Sequence, residues 1–395
     1  MNKYLFSEVA QFVTTKISVN TLSLEQYIST ENMLPNIGGI EPIASLPAIK
    51  KCTSFKENDI LFSNIRTYFK KVWIAEFDGG CSPDVLVIRS KDEKVLLNKY
   101  LFLLIRSDDF INFTAMASNG AKMPRGDKKV MLKHEFNIPS IEEQKRIIKQ
   151  QFTLTDKIQL NTQTNQTLEQ IAQAIYKSWF VEYEPTRAKA AVLAAGGSIA
   201  EAETAAMTAI SGKTAAELAA HKQQHPARYQ QLADLAAAFP SALVPADNFG
   251  EIPEGWEIVP FNKVSRCFDN KRIPLSKKQR DERKGNIPYY GATLVIDYVD
   301  EPIFNGTYLL IGEDGSVIKD DGTPFAQYIW GESWVNNHAH VLQGYNGIST
   351  EELYLFMKQK NISAYITGAV QMKLNQNNMN KITFTKANNK LHVAF

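Results

Sequence analysis

Tyr100-Leu101-Phe102 recurs as Tyr354-Leu355-Phe356, 254 residues further along a chain of 395 residues. In both places the triplet opens a helix-like stretch, and a Gly-Ala pair follows before a turn-rich run, at residues 120–121 and 368–369. These matches indicate that residues 59–139 and about 306–386 are two versions of one unit. A repeat of this kind predicts two similar sites on one chain.

Short apolar runs bounded by turn residues predict the core strands of both units. The runs are 59–63 and 84–88 in the first unit, and 307–311 and 339–342 in the second. Residues 95–117 and 351–366 are predicted as helices. Each unit is therefore expected to be a mixed α/β domain with a twisted sheet.

The clearest periodic signal lies between the two units. Apolar and amide side chains recur at alternating spacings of four and three, which is the a/d seam of a coiled coil. The seam consists of Leu154, Ile158, Asn161, Asn165, Leu168, Ala172, Ile175 and Trp179. We predict a helix from about Ser140 to before Pro185, roughly 60 Å long, that pairs with a partner helix through this seam. A core helix of a single globular domain is the alternative.

Composition changes again after this helix. Alanine dominates residues 187–246, while Gly pairs and prolines interrupt the run, so two or three short helices are expected. The predicted division is a first α/β domain at 1–139, the long helix at 140–184, an Ala-rich helical connector at 185–250 and a second α/β domain at 251–395.

Composition excludes several classes of protein. The net charge is only +2, so a polyanionic partner has to be sought in local clusters. No apolar run approaches the roughly 18–20 residues that a membrane span needs, and no signal-peptide pattern opens the chain. Cys52, Cys81 and Cys267 show neither metal-ligand spacing nor a disulfide framework, which is typical of the cytoplasm.

Motifs for catalysis or cofactor binding are missing from the sequence. There is no phosphate loop, no dinucleotide fingerprint and no Asn/Asp-Pro-Pro-Tyr/Phe stretch. Asp84, Asp92 and Lys94 have a nuclease-like spacing, so a Mg²⁺-dependent endonuclease is the alternative function. His338 and His340 could ligate a metal, although hydrogen bonding is the simpler role. We expect no metal, no cofactor and no catalysis on this chain.

Basic and amide-rich segments point to DNA. Lysines and arginines neutralise phosphates, arginines recognise guanine edges and amides recognise adenine edges. Different side chains in the same loop of two units would recognise two different half-sites. The expected DNA contacts are Arg66, Lys70, Lys122, Arg125, Lys128, Lys129, Lys271, Arg272, Tyr289, Tyr290, Lys373, Asn375, Gln376 and Asn377.

Three stretches resemble the DNA-specificity subunit of type I restriction-modification systems, and in this order they cover most of the chain. The first is residues 59–66, Asp-Ile-Leu-Phe-Ser-Asn-Ile-Arg. The second is Phe-Asn-Ile-Pro at 136–139, followed by Ile-Glu-Glu-Gln-Lys-Arg-Ile at 141–147. The third joins Trp-Phe at 179–180, Pro-Thr-Arg-Ala-Lys at 185–189 and Gly-Glu-Ile-Pro-Glu-Gly-Trp at 250–256.

The resemblance implies two target-recognition domains, each of which recognises one half of a bipartite DNA sequence, separated by a long coiled-coil-type helix. It also implies that the helix docks methyltransferase subunits and that a restriction/translocase subunit joins the complex. S-adenosylmethionine, ATP and Mg²⁺ are then expected on those partners. Family members carry a second conserved helix after the second domain, and this chain is expected to end before it. A second copy of the chain or a separate fragment is then expected to supply the partner helix, with the Ala-rich connector as a further candidate. A scaffold or decoy that occupies methyltransferases without productive DNA binding is a further alternative.

Overall fold

The computed structural model describes residues 2–117, 124–247, 249–368 and 371–395. By its internal contacts the chain forms two compact units, Met1–Gln163 and Thr164–Phe395. The boundary between them falls within one 40-residue helix, Ile141–Phe180. Among the helices described, none combines the length and apolar composition needed to span a bilayer.

The first unit alternates short strands with short helices before the long helix begins. Its strands are β1 (Asn2–Leu5), β2 (Ala10–Phe12), β3 (Lys16–Ser18), β4 (Tyr27–Ile28), β5 (Lys51–Phe55), β6 (Ile60–Ser63), β7 (Val72–Ile74), β8 (Gly79–Cys81), β9 (Val85–Ser90) and β10 (Glu135–Ile138). Its helices are α1 (Phe6–Val9), α2 (Asn98–Ile105), α3 (Asp108–Met116), α4 (Lys128–Met131) and α5 (Ile141–Phe180).

The main sheet of the first unit has the antiparallel order β2-β9-β6-β7. Ile60 and Phe62 of β6 pack in one hydrophobic core, while Leu61 between them packs in another. Because both faces of the sheet are buried, β6 has a continuous apolar run instead of an alternating one. This explains why the strand could be predicted from sequence.

Helix α5 begins where the sequence placed it. The Ser140 hydroxyl accepts a hydrogen bond from the Glu143 backbone N–H at 3.4 Å, as an N-cap does. One turn later, the fully buried Gln144 amide donates to the carbonyls of Val95 and Pro139 and accepts from the Leu97 N–H, at 2.8–3.0 Å. Gln144 therefore fixes the first turn of the helix to the first unit.

We expect Gln144→Ala to lower the stability of the first unit by about 1–2 kcal/mol, because it leaves one buried and two partly buried backbone groups without this partner. Hydrogen exchange of β1, β10 and the segment before α2 would measure the loss. Gln150→Ala, at an exposed position of the same helix, should leave exchange unchanged. Equal protection in both variants would contradict the assigned role of Gln144.

The second unit begins with a group of helices and continues with a second α/β domain. Its helices after α5 are α6 (Glu184–Ala194), α7 (Ile199–Ser211), α8 (Ala215–Gln224), α9 (Pro226–Ala238), α10 (Lys277–Glu282), α11 (Thr350–Gln359), α12 (Gln376–Asn380) and α13 (Asn389–Ala394). Its strands are β11 (Leu243–Ala246), β12 (Gly250–Pro253), β13 (Glu257–Pro260), β14 (Ser265–Cys267), β15 (Lys284–Tyr290), β16 (Val295–Val299), β17 (Phe304–Asn305), β18 (Tyr308–Gly312), β19 (Ala326–Ile329), β20 (Glu332–Val335), β21 (Ala339–Gly344) and β22 (Thr383–Lys386).

The second unit repeats the main sheet of the first. Its order is β14-β21-β18-β19, again antiparallel, and the outer pair β13-β22 corresponds to β1-β10. Leu309 and Ile311 pack in one core and Leu310 in another, as in the equivalent strand β6. The prediction of a repeated mixed α/β unit is therefore confirmed.

The smaller sheets show where the two copies diverge. β4 runs parallel to β8 in the first unit, as β15 runs parallel to β20 in the second. β5 and β17 pair with these strands antiparallel in their respective units. Three strands of these sheets are therefore equivalent, β5-β8-β4 in the first unit and β17-β20-β15 in the second. The fourth strand is added at opposite edges, because β3 pairs with β5 whereas β16 pairs with β15.

Two predicted helices are shorter than expected. The stretch 95–117 contains α2 and α3, which are separated because the Ser107 side chain caps α3 by accepting from the Phe110 N–H at 3.3 Å. The stretch 351–366 contains α11, which ends at Gln359. Local capping therefore divides what the apolar pattern alone predicted as continuous helix.

The Ala-rich connector forms four helices, α6 to α9, where two or three were expected. Capping boxes begin α7 and α8, at Ser198 and Thr214. The fully buried Lys189 ammonium donates to the Glu203 carboxylate at 3.0 Å and to the Phe239 carbonyl at 2.8 Å. This contact ties α6 to α7 and to the end of α9, so the connector is a packed helical module.

Candidate nucleic-acid interface

Three segments that are distant in sequence meet in the first unit. We call Asn64–Arg66, Asp84 and Pro124–Gly126 the first loop cluster. The Asn64 N–H donates to the Asp84 carbonyl at 2.8 Å, the Arg66 N–H to Pro124 at 2.9 Å, and the Gly126 N–H to Asn64 at 3.0 Å. These backbone hydrogen bonds fix the loop that carries Arg125 against the end of β6.

The second unit contains the equivalent arrangement. We call Glu313–Gly315, His338 and Met372–Leu374 the second loop cluster. The Glu313 N–H donates to the His338 carbonyl at 2.8 Å, the Gly315 N–H to Met372 at 3.2 Å, and the Leu374 N–H to Glu313 at 2.8 Å. Each bond has its counterpart in the first loop cluster, so the backbone of the repeat is retained at these loops.

This correspondence gives Arg125 and Lys373 the same structural position. Each lies in an isolated antiparallel bridge, to Ile65 and to Asp314 respectively. The helices that follow are also equivalent, since Asp127 caps α4 and Asn375 caps α12. The spacing of 248 residues between the Gly-Ala pairs also separates Arg125 from Lys373. The backbone is shared while the side chain at this position differs.

Positive charge surrounds the first loop cluster. The Arg125 guanidinium lies 2.9 Å from the Asp84 carboxylate and remains 59% exposed. Lys70 forms an ion pair with Asp108. Lys128 and Lys129 are exposed at the start of α4, whereas Lys122 lies outside the described residues. The structure thus brings Arg66 and Arg125 into one cluster. Lys128 and Lys129 begin the helix that follows Arg125 in sequence.

The turn after Arg66 has an unusual backbone. Arg66 and Lys70 flank a short 3₁₀ helix, Thr67–Phe69, and both adopt left-handed φ angles, 49° and 52°. Within it, Tyr68 and Phe69 are 51% and 40% exposed. Left-handed conformations are uncommon for residues other than glycine and concentrate at functional sites. The turn therefore presents two aromatic rings beside the first loop cluster.

The second loop cluster is held by a network of ion pairs. Arg272 lies 3.3 Å from Asp269 and 2.7 Å from Glu313, and it donates to the Ala339 carbonyl at 2.7 Å. Lys373 lies 3.5 Å from Glu313. Burial alone would raise the pKa of the Asp269 carboxyl, but hydrogen bonds from His340 and the Val341 N–H, together with Arg272, hold that pKa below its usual range.

Burial corrects two of the expected DNA contacts. Tyr289 is 1% exposed, and its hydroxyl accepts a hydrogen bond from the Leu275 N–H. Arg272 is only 12% exposed, with its donors directed into the ion-pair network. Neither side chain is available to DNA in this conformation. Tyr290 is half-buried against a core, whereas Lys271, the residue beside Arg272, is exposed.

The amide-rich segment is placed at the start of α12. The Asn375 side chain accepts from the Asn378 N–H at 2.8 Å, so its oxygen serves the helix cap. Gln376 and Asn377 are exposed in the first turn that follows. Lys373, two residues before the cap, is 48% exposed at its side chain. Lys373 thus lies within the second loop cluster, and Asn375, Gln376 and Asn377 follow it directly in sequence.

Other basic residues of the second unit are paired within the chain. Arg280 and Lys284 both contact the Asp297 carboxylate, at 2.9 and 2.8 Å. The hydrogen bonds from Lys284, from the backbone and from Arg280 hold the pKa of Asp297 well below its usual range. Arg283 pairs with Asp300 and Glu301. This sequence cluster thus stabilises the β15-β16 hairpin.

The predicted seam of α5 is exposed over most of its length. Every residue from 153 to 168 is exposed, which includes Leu154, Ile158, Asn161, Asn165 and Leu168. Most helices in proteins owe their stability to tertiary packing of an apolar face, and the apolar side chains of this stretch are exposed to solvent. Ile175 is 37% exposed, but Trp179 is buried in the core of its own unit, edge-on to Phe239 and Phe395. Trp179 is therefore not available to a partner helix, which corrects that part of the seam.

The geometry opposes the nuclease alternative. Asp84 and Asp92 lie at opposite ends of the six-residue strand β9, roughly 20 Å apart at about 3.3 Å per residue. The Asp84 carboxylate pairs with Arg125, and the Asp92 carboxylate accepts the Lys94 N–H within its own turn. Two carboxylates at that separation cannot hold one Mg²⁺ ion.

The two histidines of β21 and its preceding loop are engaged in hydrogen bonds. His338 contacts the Asp314 carboxylate. His340 contacts Asp269 and the Leu374 carbonyl with its two ring nitrogens. Its ligand atoms lie within 4.8 Å of those of Cys267 and Asp269, but both of its nitrogens are already occupied. We therefore assign His340 to the hydrogen-bond network, which is the simpler of the two roles expected from the sequence.

Comparison with known proteins agrees with this geometry. A family described as the type I restriction modification DNA specificity domain matches residues 12–170 and 253–385. The two matched segments contain the two loop clusters, and the unmatched residues between them include α6 to α9. The family description thus applies to both copies of the repeat.

Individual relatives carry the same description. The HindI specificity subunit of Haemophilus influenzae is 30% identical over 414 aligned positions, which cover 97% of this chain and 88% of the relative. The EcoDI specificity subunit of Escherichia coli is 31% identical over 27% of this chain and 23% of its own length. A solved S subunit of a type I restriction-modification system from M. genitalium aligns with 99% of this chain and 86% of its own, at 12% identity and a TM-score of 0.47.

The family match covers both repeated units, and the relative from H. influenzae aligns with nearly the whole chain. The chain therefore belongs to the type I restriction-modification DNA specificity family, as a non-catalytic subunit that recognises the DNA target.

Proposed function

We propose that each unit recognises one half of a bipartite DNA sequence through its loop cluster. The observation that carries the proposal is the pair of equivalent backbone frames with different side chains at the same position, Arg125 in one and Lys373 in the other. Arginine makes bidentate hydrogen bonds to guanine, whereas lysine offers a point charge. One chain would in this way recognise two unlike half-sites.

The surrounding residues suit phosphate and base contacts. Lys128, Lys129 and Lys271 are exposed and would neutralise phosphates, which makes binding dependent on salt. Gln376 and Asn377 are exposed amides that match the donor and acceptor pattern of adenine. Arg66 lies within the first loop cluster, and Tyr290 lies at the edge of a core in the second unit. We assign phosphate positioning to the lysines and base recognition to Arg125 and the amides.

Sequencing of methylated adenines in cells that carry this chain with its methyltransferase partners tests the proposal. We expect a bipartite motif with an unspecified spacer. Exchange of residues 124–129 for those of a relative with another target should change one half of the motif only. A continuous motif, or a change in both halves, would refute the assignment of one half-site to each unit.

We further propose that the exposed seam of α5 docks partner subunits, which would carry the S-adenosylmethionine, ATP and Mg²⁺ chemistry. The apolar side chains of Leu154, Ile158 and Leu168 are 61%, 67% and 57% exposed, and a partner helix would cover them. Asn161 and Asn165 in the middle of the seam would fix its register. A second copy of the chain or a separate helix is the alternative occupant.

Ile158→Ala and Leu168→Ala should each weaken this association by about 1–2 kcal/mol without lowering the melting temperature of the isolated chain, since both side chains are already exposed. Mass photometry of the chain mixed with methyltransferase subunits would measure the association. Gln166→Ala, exposed on the same helix but off the seam, is the matched control. Unchanged assembly in both seam variants would remove the docking role.

A further inference from the structure

The His340 ring lies between two hydrogen-bond acceptors, one at each ring nitrogen. Its side chain is fully buried in β21. Nδ1 lies 2.6 Å from Asp269 Oδ2, and Nε2 lies 2.7 Å from the Leu374 carbonyl oxygen. A carboxylate and a carbonyl only accept hydrogen bonds, whereas a neutral imidazole has a single N–H. Both nitrogens can be satisfied only if the ring carries two protons.

The proton belongs to the ring and not to the carboxyl. Asp269 also accepts the Val341 N–H at 2.9 Å and pairs with Arg272. A backbone N–H donor on one oxygen and a guanidinium beside the other both stabilise the ionised form of this carboxyl group, so we assign it as a carboxylate. An ionised carboxylate cannot donate a proton to Nδ1, which leaves Nδ1 as the donor.

We infer that His340 is a buried imidazolium that positions the second loop cluster for DNA recognition, by linking Asp269 to the Leu374 carbonyl. Leu374 follows Lys373 directly, so the ring fixes the backbone that presents the Lys373 side chain. His340 is a positioning residue that acts through Lys373, and its effect on DNA rests on the proposed function of the second unit.

The buried charges around the ring balance. The buried groups that face it are Asp269, Glu313 at 3.9 Å from Nδ1, Arg272, which pairs with both carboxylates, and Cys267. Lys373 also lies 3.5 Å from Glu313, but its side chain is 48% exposed, so water screens its charge. Burial raises the pKa of the Cys267 thiol to about 12, so the thiol is neutral. Among the buried groups, Arg272 and the His340 ring are then two cations that face the two carboxylates. Loss of the ring proton would leave a net negative charge in a buried site and one acceptor without a donor.

The first unit has an uncharged residue at the position that corresponds to His340. β9 pairs with β6 as β21 pairs with β18, and this register places Leu86 opposite Phe62, where the second unit has His340 opposite Ile311. Leu86 is buried in the hydrophobic core. The loop of the first unit is therefore supported by apolar packing, and its recognition of DNA should not depend on a buried proton.

The protonation state can be measured independently of DNA. In the full chain with ¹⁵N-labelled histidines, the His340 ring is assigned as the signal lost in His340→Gln. We expect both ring nitrogens to show the shifts of protonated nitrogen at pH 7. A nitrogen without a proton in the folded chain would overturn the inference.

The positioning role is tested with duplexes that carry the target found by methylated-adenine sequencing, with base changes in one half-site at a time. His340→Leu, which supplies the residue found in the first unit, should weaken discrimination at the second half-site about 10- to 100-fold and leave the first unchanged. His221→Gln on α8 is the control and should change neither.

A double variant distinguishes the positioning role of His340 from a general loss of folding. In His340→Gln with Asp269→Asn, the glutamine amide can donate to Leu374 and its oxygen can accept from the asparagine amide. We expect this neutral pair to restore most of the second half-site discrimination that His340→Gln alone loses. Full discrimination in His340→Leu, or no recovery in the double variant, would refute the positioning role. A wild-type chain that recognises no bipartite target would instead refute the proposed function and leave the ring measurement standing.

Discussion

Arg272→Ala should lower the free energy of unfolding of the second unit by about 3 kcal/mol, because removal of one partner leaves buried charges uncompensated. The guanidinium contacts Asp269, Glu313 and the Ala339 carbonyl, and the two carboxylates are only 11% and 15% exposed. Without Arg272, two carboxylates face a single buried imidazolium. Arg272→Lys should recover little, since an ammonium cannot reproduce the planar set of donors.

Lys271→Ala is the matched control for Arg272. Lys271 is exposed, and its ammonium lies 5.3 Å from the Phe268 ring centroid. We expect unchanged stability, together with weaker DNA binding and a salt dependence reduced by about one phosphate contact. Denaturant unfolding combined with hydrogen exchange of residues 313–315 and 337–340 would locate the loss in Arg272→Ala. If Lys271→Ala destabilised the unit and Arg272→Ala did not, the ion-pair network would be assigned to the wrong residue.

Strands and helices could be predicted where burial determines the local order of apolar residues in the sequence. The continuous run Ile60-Leu61-Phe62 exists because both faces of β6 are buried, and the same applies to residues 309–311 of β18. The 40 residues of α5 are recognisable because an apolar period and an N-cap at Ser140 agree. Both signals are local, so one sequence suffices to find them.

The burial and the contact partners of individual charged and aromatic side chains could not be predicted in this way. Lys271 and Arg272 are neighbours in sequence, yet only Arg272 turns towards carboxylates, one of which lies 41 residues later at Glu313. Tyr289 and Tyr290 point to opposite faces of β15, a strand that the sequence did not mark. Trp179 fits the heptad seam but packs on residues that follow by 60 or more positions. These outcomes depend on long-range contacts.

The position shared by Arg125 and Lys373 supplies the sharpest test of recognition by two units. We expect Arg125→Ala to reduce discrimination at the first half-site by about 1–3 kcal/mol, the usual contribution of one bidentate arginine–guanine contact. Discrimination at the second half-site should not change. Asp84→Asn should have a smaller effect in the same half-site, because the Asp84 carboxylate lies 2.9 Å from the Arg125 guanidinium and orients it.

Lys373→Ala is the reciprocal variant, since Lys373 occupies the equivalent bridge in the second unit. It should weaken the second half-site and leave the first unchanged, so the two variants together separate the units. Competition binding with duplexes altered in one half-site at a time, at two salt concentrations, distinguishes lost base recognition from lost phosphate attraction. Arg125→Lys keeps the charge and should keep the salt dependence while losing the preference for guanine. If Arg125→Ala weakened both half-sites equally, the backbone equivalence of the two loop clusters would have no counterpart in recognition, and Arg125 would act as a general phosphate contact.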